Sequence, residues 1–219
     1  MARKTALATN NNLHLEEPWR LFRIMGEFVD GFEELSPVGP AVAIFGSSRI
    51  GPRNRYYRLA TQMAKRLVRA GYAVITGAGP GIMEGANRGA SAGRGQSIGL
   101  NIDIPSVQQP NRYIGKLLNF RYFFCRRVMF VKYSKAFIVM PGGYGTLDEF
   151  FEIVTLIQTH KIPPIPVILV GRPFWEGLLT WMERELVGRG YIDRRDFQLF
   201  QIRETPTEIL RTIQAFYRR

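Results

Sequence analysis

Residues 136–149 have the sequence AFIVMPGGYGTLDE, in which a continuous apolar run meets a glycine-rich turn and then a pair of carboxylates. The apolar run, residues 136–140, is typical of a buried strand, and apolar residues return at helical spacing after the turn. Glycine amides can direct several N–H groups at one anion, and the dipole of a helix favours negative charge at its N-terminus. The stretch therefore predicts a phosphate site at the start of a helix, beside the carboxylates of Asp148 and Glu149.

Strand and helix signals alternate along the chain from residue 41 onward. Strands are predicted at residues 41–45, 73–76, 98–102, 136–140, 167–170 and 198–201. Helices are predicted at residues 56–70, 82–92, 122–133, 147–159 and 174–187, and a last helix follows the capping residues Thr205, Pro206 and Glu208. This alternation predicts an α/β fold: a Rossmann-like, doubly wound, mostly parallel sheet with helices on both faces, which binds its ligand beyond the carboxyl ends of the strands.

The chain divides into a short extension and one larger domain. Residues 1–39 are predicted to be an N-terminal extension with one amphipathic helix, over residues 18–35, which ends at the sequence SPVGP of residues 36–40. Residues 40–219 are long enough for one Rossmann-like nucleotide-binding catalytic domain. Because the helix of the extension carries many large apolar residues, we expect it to cover the core of its own subunit or to join a partner.

Three glycine-rich turns each follow a predicted strand and precede a predicted helix. They lie at residues 46–48, 77–81 and 142–146, and the predicted fold brings all three to one crevice. None completes the G-x-G-x-x-G pattern of dinucleotide-binding proteins, and the sequence has no G-x-x-x-x-G-K-[ST] pattern for a nucleoside triphosphate. The two histidines, His14 and His160, lie far apart in sequence and have no other potential metal ligands at ligand spacing beside them, so no metal site is expected.

The composition limits the classes of partner and the compartment. The chain has 30 Lys and Arg residues against 18 Asp and Glu residues, a formal net charge of +12, but the basic residues are scattered and form no recognisable nucleic-acid module. We expect no nucleic-acid partner and, because no apolar run approaches the length of a membrane span, no membrane association. The single Cys125 cannot form an internal disulfide, which indicates a cytoplasmic location. A reactive thiol is the alternative interpretation of Cys125, because the neighbouring Arg126 and Arg127 would lower its pKa.

Residues 141–149, with Arg126 and Arg127 upstream, match the pattern Pro-Gly-Gly-x-Gly-Thr-x-x-Glu preceded by an arginine and a second basic residue. In this the chain resembles the LONELY GUY (LOG) family of nucleotide phosphoribohydrolases, in its longer, bacterial-type branch. Residues 45–49 and 76–84 are similar to the two other glycine-rich turns of the family, and the resemblance covers residues 40–181. Such sequences are often labelled lysine decarboxylase. This sequence, however, has no recognisable lysine that would form a Schiff base with pyridoxal phosphate, and no recognisable binding site for that cofactor.

The resemblance implies an N-glycosidase that needs no cofactor and releases a free base, cytokinin or adenine, and ribose 5-phosphate from adenosine 5′-monophosphates, including N6-substituted ones. It implies that Arg126 and Glu149 are catalytic, and that a homodimer with shared active sites, or a higher oligomer, forms. The residues expected to bind substrate or phosphate are Gly46, Ser47, Gly79, Gly81, Met83, Arg127, Gly142, Gly143, Gly145, Thr146 and Thr155.

Two departures from the family pattern and several plainer interpretations stay open. Residues 106–111 lack the acidic residue that many members carry before the arginine pair, and Arg127 stands where lysine is usual. Met83 is also explained as a core methionine, Thr155 as a solvated helix residue, and Asp148 by the helix dipole alone. The alternative function is a non-catalytic carrier of a nucleotide or of molybdenum cofactor, because related carrier proteins use a similar fold and similar turns.

Overall fold

Seven strands form one parallel sheet in the computed structural model, which describes residues 13–103 and 109–218. In chain order the strands are β1 (Ala41–Phe45), β2 (Ala73–Thr76), β3 (Ser97–Ile102), β4 (Lys116–Phe120), β5 (Ser134–Val139), β6 (Val167–Val170) and β7 (Gln201–Arg203). Their order across the sheet is β4-β3-β2-β1-β5-β6-β7, and every neighbouring pair is parallel. The winding reverses between β1 and β5, so the predicted doubly wound α/β fold is confirmed.

Helices cover both faces of this sheet. In the described part of the chain they are α1 (Leu13–Leu35), α2 (Arg55–Arg69), α3 (Ile82–Ala92), α4 (Phe123–Tyr133), α5 (Tyr144–Gln158), α6 (Arg172–Trp181) and α7 (Pro206–Tyr217). Helix α6 continues as a π-helical turn, Met182–Val187, and a 3₁₀ turn, Arg194–Leu199, precedes β7. None of the helices described is long and apolar enough to cross a membrane.

The strands separate two buried cores. In β1, Val42 and Ile44 pack in the core with α2, α3 and α7, whereas Ala43 and Phe45 pack in the core with α4, α5 and α6. All five residues of β1 are buried. Burial on both faces explains why this strand is continuously apolar rather than alternating.

Helix α1 packs on α4 and on the edge strand β4. Its Phe28 lies against the core of the α4 side, and a carboxylate oxygen of Glu34 lies 2.7 Å from Nζ of Lys116 on β4. The close approach to α4 depends on Gly31, because a Cβ added there would lie 2.7 Å from Sδ of Met129. One face of α1 therefore covers the core of its own subunit.

The starts of two helices differ from the prediction by three residues or more. Helix α1 begins at Leu13 rather than at residue 18. Helix α5 begins at Tyr144 rather than at residue 147, because the glycine-rich turn itself forms the first helical turn behind the N-cap Gly143. Asp148 and Glu149 consequently lie in the second turn of α5 and not in the first.

Two strands also differ from the prediction. The predicted strand at residues 198–201 is wrong, because the 3₁₀ turn extends to Leu199 and strand β7 begins only at Gln201. The edge strand β4 has no counterpart among the predicted strands. Two of the five residues in its sequence, KLLNF, are polar, because an edge strand is partly exposed, so it gives a weak signal.

Candidate active site

The three glycine-rich turns meet where β1 and β5 lie side by side. The backbone N–H of Ser47, after β1, donates to the carbonyl of Pro141, after β5, at 2.9 Å. The N–H of Ile82, the first residue of α3, donates to the carbonyl of Ser47, also at 2.9 Å. The backbone of Ser47 thus joins all three turns at the carboxyl ends of the strands, where a doubly wound sheet forms its crevice.

Glycine is required at two positions along this crevice. A Cβ added to Gly142 would overlap the side chain of Thr146 and lie 3.0 Å from the amide nitrogen of Ser47. Gly81 has a φ of +73°, and a Cβ there would overlap the carbonyl of Ser47. Because these two positions carry no side chain, the turns can approach one another this closely.

The N-terminus of α5 opens into the crevice. Its N-cap, Gly143, has no side chain with which to satisfy the first amides, and the first turn contains no acidic residue. The amides of Thr146 and Leu147 donate back to the carbonyl of Gly143 at 3.0 and 3.1 Å. Those of Tyr144 and Gly145 come earlier in the turn and have no intrahelical acceptor. Such a terminus is suited to binding an anion.

A cavity of about 830 Å³ occupies the crevice. Its volume is within the range of about 300–1,000 Å³ that small-molecule sites commonly show. The structure brings nine predicted site residues together along its wall: Gly46, Ser47, Met83, Arg126, Gly142, Gly143, Gly145, Thr146 and Glu149.

Four predicted site residues do not line this cavity. Gly79 and Gly81 belong to the second turn, which supports the wall; the carbonyl of Gly79 accepts a hydrogen bond from the side chain of Asn111 at 3.0 Å. Arg127 points instead to α5, where its guanidinium lies 3.2 Å from Asp148 and 3.3 Å from Glu152. Thr155 is exposed further along α5, so its position fits the plainer interpretation of a solvated helix residue.

Arg126, from α4, and Glu149, from α5, meet inside the cavity. Nη2 of Arg126 lies 3.7 Å from Oε1 of Glu149, within reach of ionic attraction but longer than a hydrogen bond. Only 12% of the arginine side chain and 5% of the glutamate side chain are exposed. Nε of Arg126 has no hydrogen-bond partner among the described residues. The pair therefore keeps donors and acceptors available to a third group.

Burial controls the protonation of this pair. It raises the pKa of Glu149 from 4.5 to about 7, against the opposing attraction of Arg126, and the carboxylates of Glu152 and Asp148 raise it further. Burial also lowers the pKa of Arg126, although a guanidinium remains charged at neutral pH. A carboxyl group with a pKa near 7 exchanges its proton readily at neutral pH, which is the property required of a general acid or base.

An aromatic part of the cavity wall has no counterpart in the sequence prediction. It is formed by Tyr56, Phe123, Phe130, Tyr144 and Phe174, which come from the four helices α2, α4, α5 and α6. The rings of Phe123 and Phe130 also flank the guanidinium of Arg126, with centroids 5.2 and 5.8 Å from Cζ. Tyr144 lies within the glycine motif, but no motif marks the other four, which only the fold brings together.

Two other sequence interpretations concern Cys125 and metals. Cys125 is buried, and burial raises the pKa of its thiol to about 11. The interpretation of Cys125 as a reactive thiol is therefore wrong. Across residues 13–103 and 109–218, no group of three or more His, Cys, Asp and Glu side chains is placed to hold a metal ion.

The family comparison covers more than half of the chain. The sequence model of the family described as "possible lysine decarboxylase" matches residues 83–213, which include both Arg126 and Glu149. The chain belongs to this family. Its curated relatives confirm the predicted resemblance to LOG proteins.

Two plant proteins illustrate these family relatives. The probable cytokinin riboside 5′-monophosphate phosphoribohydrolase LOGL5 of Oryza sativa subsp. japonica is 27% identical over 183 residues, 80% of this chain and 72% of the rice protein. The cytokinin riboside 5′-monophosphate phosphoribohydrolase LOG2 of Arabidopsis thaliana is 24% identical over 181 residues, 80% of this chain and 83% of the Arabidopsis protein.

Solved structures resemble this family member in fold at lower identity. The molybdenum cofactor binding protein of Rippkaea orientalis has a TM-score of 0.59 and 20% identity, covering 81% of this chain and 97% of that protein. The molybdenum cofactor carrier protein of Chlamydomonas reinhardtii has a TM-score of 0.57 and 17% identity, covering 82% and 99%. At these identities the likeness concerns the fold alone.

Proposed function

We propose that this chain hydrolyses the N-glycosidic bond of adenosine 5′-monophosphates, including N6-substituted ones, to a free base (cytokinin or adenine) and ribose 5-phosphate. The observation that carries the proposal is one cavity lined both by the N-terminus of α5, which is suited to binding an anion, and by a buried carboxyl group with a pKa of about 7. The names of the rice and Arabidopsis relatives support this reaction class.

The N-terminus of α5 holds the 5′-phosphate. The amides of Tyr144 and Gly145 and the hydroxyl of Thr146 are the donors that this end of the cavity offers. The phosphate is remote from the bond that breaks, so its binding energy can be used to orient the ribose. A nucleoside without the phosphate therefore reacts poorly.

Glu149 acts on the ribose. When the bond between C1′ and the base nitrogen breaks, its electron pair leaves with the base and positive charge develops on the sugar. The ionised carboxylate stabilises that charge and accepts a proton from the water whose oxygen bonds to C1′. The departing base takes up a proton from solvent water, and Glu149 afterwards returns its proton to solvent, so the net reaction consumes one water. The guanidinium of Arg126, 3.7 Å from Glu149, orients the substrate and acts electrostatically, because it does not release a proton at neutral pH.

The test is the release of free base and ribose 5-phosphate from AMP and from isopentenyladenosine monophosphate, with both dephosphorylated nucleosides run in parallel. We expect release from the monophosphates, and a loss of about a thousandfold in kcat for Glu149→Gln, within the range that removal of a positioned acid or base causes. Glu176→Gln is the matched control, because Glu176 is exposed on α6 outside the cavity and should leave turnover unchanged.

The same experiment distinguishes the hydrolase from a carrier. A carrier binds its ligand without turnover, so tight binding of both monophosphates with no release from either would contradict the hydrolase and favour the carrier. Turnover that survives in Glu149→Gln would instead refute the role given to this residue. A lysine decarboxylase receives no support, because no lysine lines the cavity in the described part of the chain.

A further inference from the structure

In the described part of the chain, three ion pairs join α4 to α5, and Arg127 takes part in two of them. Nη1 of Arg127 donates hydrogen bonds to both carboxylate oxygens of Asp148, each at 3.2 Å. Nε of the same guanidinium lies 3.3 Å from Oε2 of Glu152, which is an ionic contact between two buried atoms rather than a hydrogen bond. One side chain of α4 therefore holds two successive turns of α5.

Arginine is suited to this double contact, although position 127 departs from the family pattern. A guanidinium carries five N–H donors in fixed directions, so two of its nitrogen atoms can face two carboxylates at once, whereas the ammonium of lysine is a single point charge. Asp148 and Glu152 lie four residues apart and so share one face of α5. We call the side chains of Arg127, Asp148 and Glu152 the Arg127 clamp.

The charged pair of the cavity lies directly beside the Arg127 clamp. Arg126 precedes Arg127 on α4, and Glu149 follows Asp148 on α5. Nη2 of Arg126 lies 3.7 Å from Oε1 of Glu149, which is longer than a hydrogen bond, so their own contact holds the two groups only loosely. A shift of α4 along α5 would change this distance, and the clamp opposes such a shift.

The contacts of Arg127 differ from those of a substrate ligand. Its side chain does not line the cavity, and two of its nitrogen atoms already face Asp148 and Glu152. The resemblance to the family implies that Arg127 binds substrate. In this structure, however, the guanidinium is directed at α5 and leaves Arg126 as the arginine of the cavity.

We propose that Arg127 is a positioning residue. Through Asp148 and Glu152 it docks α4 on α5, and it thereby sets the separation of Arg126 and Glu149 in the cavity. This role requires no contact between Arg127 and the substrate. It rests on the proposed hydrolase function only for what the positioned pair does in turnover, because the clamp itself is a feature of the fold.

The Arg127 clamp also sets the charge around Glu149. The charged groups that act on Glu149 are Arg126 and Arg127 from α4 and Asp148 and Glu152 from α5. Burial is the largest cause of the raised pKa of Glu149; the two carboxylates raise it further, and the two arginines lower it. Removing the charge of Arg127 should therefore raise this pKa, whereas neutralising Asp148 and Glu152 should lower it.

The first test compares the turnover of AMP by variants that break the clamp from either side. Arg127→Met, and Asp148→Asn combined with Glu152→Gln, should each lower kcat by about ten- to a hundredfold and leave KM within about threefold, because a displacement of about 1 Å costs up to about a hundredfold. The midpoint of the pH profile of kcat/KM should move to higher pH in the first variant and to lower pH in the second. Arg127→Lys, which keeps the charge, should keep the midpoint and recover part of kcat.

The second test measures positioning without turnover. Urea unfolding at pH 8 of Arg126→Met, Glu149→Gln and the double variant gives the coupling between these two residues as a ratio of unfolding constants. The coupling should fall at least about threefold when the cycle is repeated with Arg127→Met, and also with Asp148→Asn combined with Glu152→Gln. The two backgrounds change the ionisation of Glu149 in opposite directions, so a loss in both reports a change of position.

Arg194→Met is the matched control for both tests, because Arg194 forms an exposed ion pair with Glu183 outside the cavity and should leave kcat and the coupling unchanged. Circular dichroism checks that every variant remains folded. A rise in KM at unchanged kcat would make Arg127 a substrate ligand and overturn the proposal, as would a coupling that either clamp-breaking background leaves intact. A wild type that releases no base from AMP would contradict the proposed function alone, since the coupling still decides the role of Arg127.

Discussion

Replacing Glu149 by glutamine should stabilise the folded chain while removing its catalytic carboxylate. Glutamine has the shape of the protonated glutamate but cannot ionise. The side chain is only 4% exposed, and burial raises its pKa from 4.5 to about 7. Between those pH values the folded chain retains a proton that the unfolded chain has already released, so the free energy of unfolding falls as pH rises.

The size of this effect follows from the two pKa values. A difference of one pKa unit corresponds to about 1.36 kcal/mol, so the interval from 4.5 to about 7 corresponds to about 3 kcal/mol. The attraction of Arg126 is already contained in the pKa of Glu149. We therefore expect Glu149→Gln and the wild type to be nearly equal in stability near pH 4.5. The variant should become more stable as pH rises, by up to about 3 kcal/mol at pH 8.

The assay is urea unfolding of both proteins at one protein concentration, at several pH values from 4.5 to 8. Every other titrating group is common to the two proteins, so the difference in the free energy of unfolding isolates Glu149. Glu176→Gln serves as the control, because Glu176 is exposed on α6. A difference that does not change with pH, or a variant less stable than the wild type at pH 8, would refute this account of the buried carboxyl group.

Three further outcomes are expected. Gly142→Ala should abolish binding of AMP in isothermal titration calorimetry, because its Cβ would lie 3.0 Å from the amide nitrogen of Ser47, whereas Gly177→Ala, which has open space around its Cβ, should bind normally. Phe150→Ala should lower the free energy of unfolding by about 3–5 kcal/mol in urea, since the ring is fully buried. Cys125, whose pKa is raised to about 11, should react with a thiol reagent at pH 8 only after the chain is unfolded.

The sequence predicts the fold well where burial is complete. The central strands β1, β2, β5 and β6 are buried along almost their whole length, so their apolar runs identify them directly. Prediction fails at the two edges of the sheet. There β4 and β7 are partly exposed and carry polar residues, so their sequences lack a strand pattern.

The site divides in a similar way between local and long-range determinants. The glycine motif and the carboxylate of Glu149 are encoded within a few residues, so a sequence pattern can find them. The pairing of Glu149 with Arg126 depends on how α4 and α5 lie together in space, as does the aromatic wall that includes Phe123 and Phe174. The protonation of Glu149 also depends on the complete fold, because burial is the largest cause of its raised pKa.

The pH dependence of turnover provides the last prediction. Only the ionised form of Glu149 can stabilise a positive sugar and accept a proton from water, so kcat/KM for AMP should rise as pH increases through about 7. The substrate phosphate also titrates, near pH 6. Its contribution is measured separately as the pH dependence of AMP binding to Glu149→Gln, which keeps the phosphate site but has no carboxyl group to titrate.

The bound phosphate should also shift this profile in a defined direction. A second negative charge near Glu149 disfavours its ionised form, so the pKa of Glu149 should be higher in the complex than in the free protein. The midpoint of the kcat profile, which reports the complex, should therefore lie at higher pH than that of kcat/KM, which reports the free enzyme. A profile that falls as pH increases from 6 to 8 would instead make Glu149 a proton donor to the departing base, and would reverse the role argued for it.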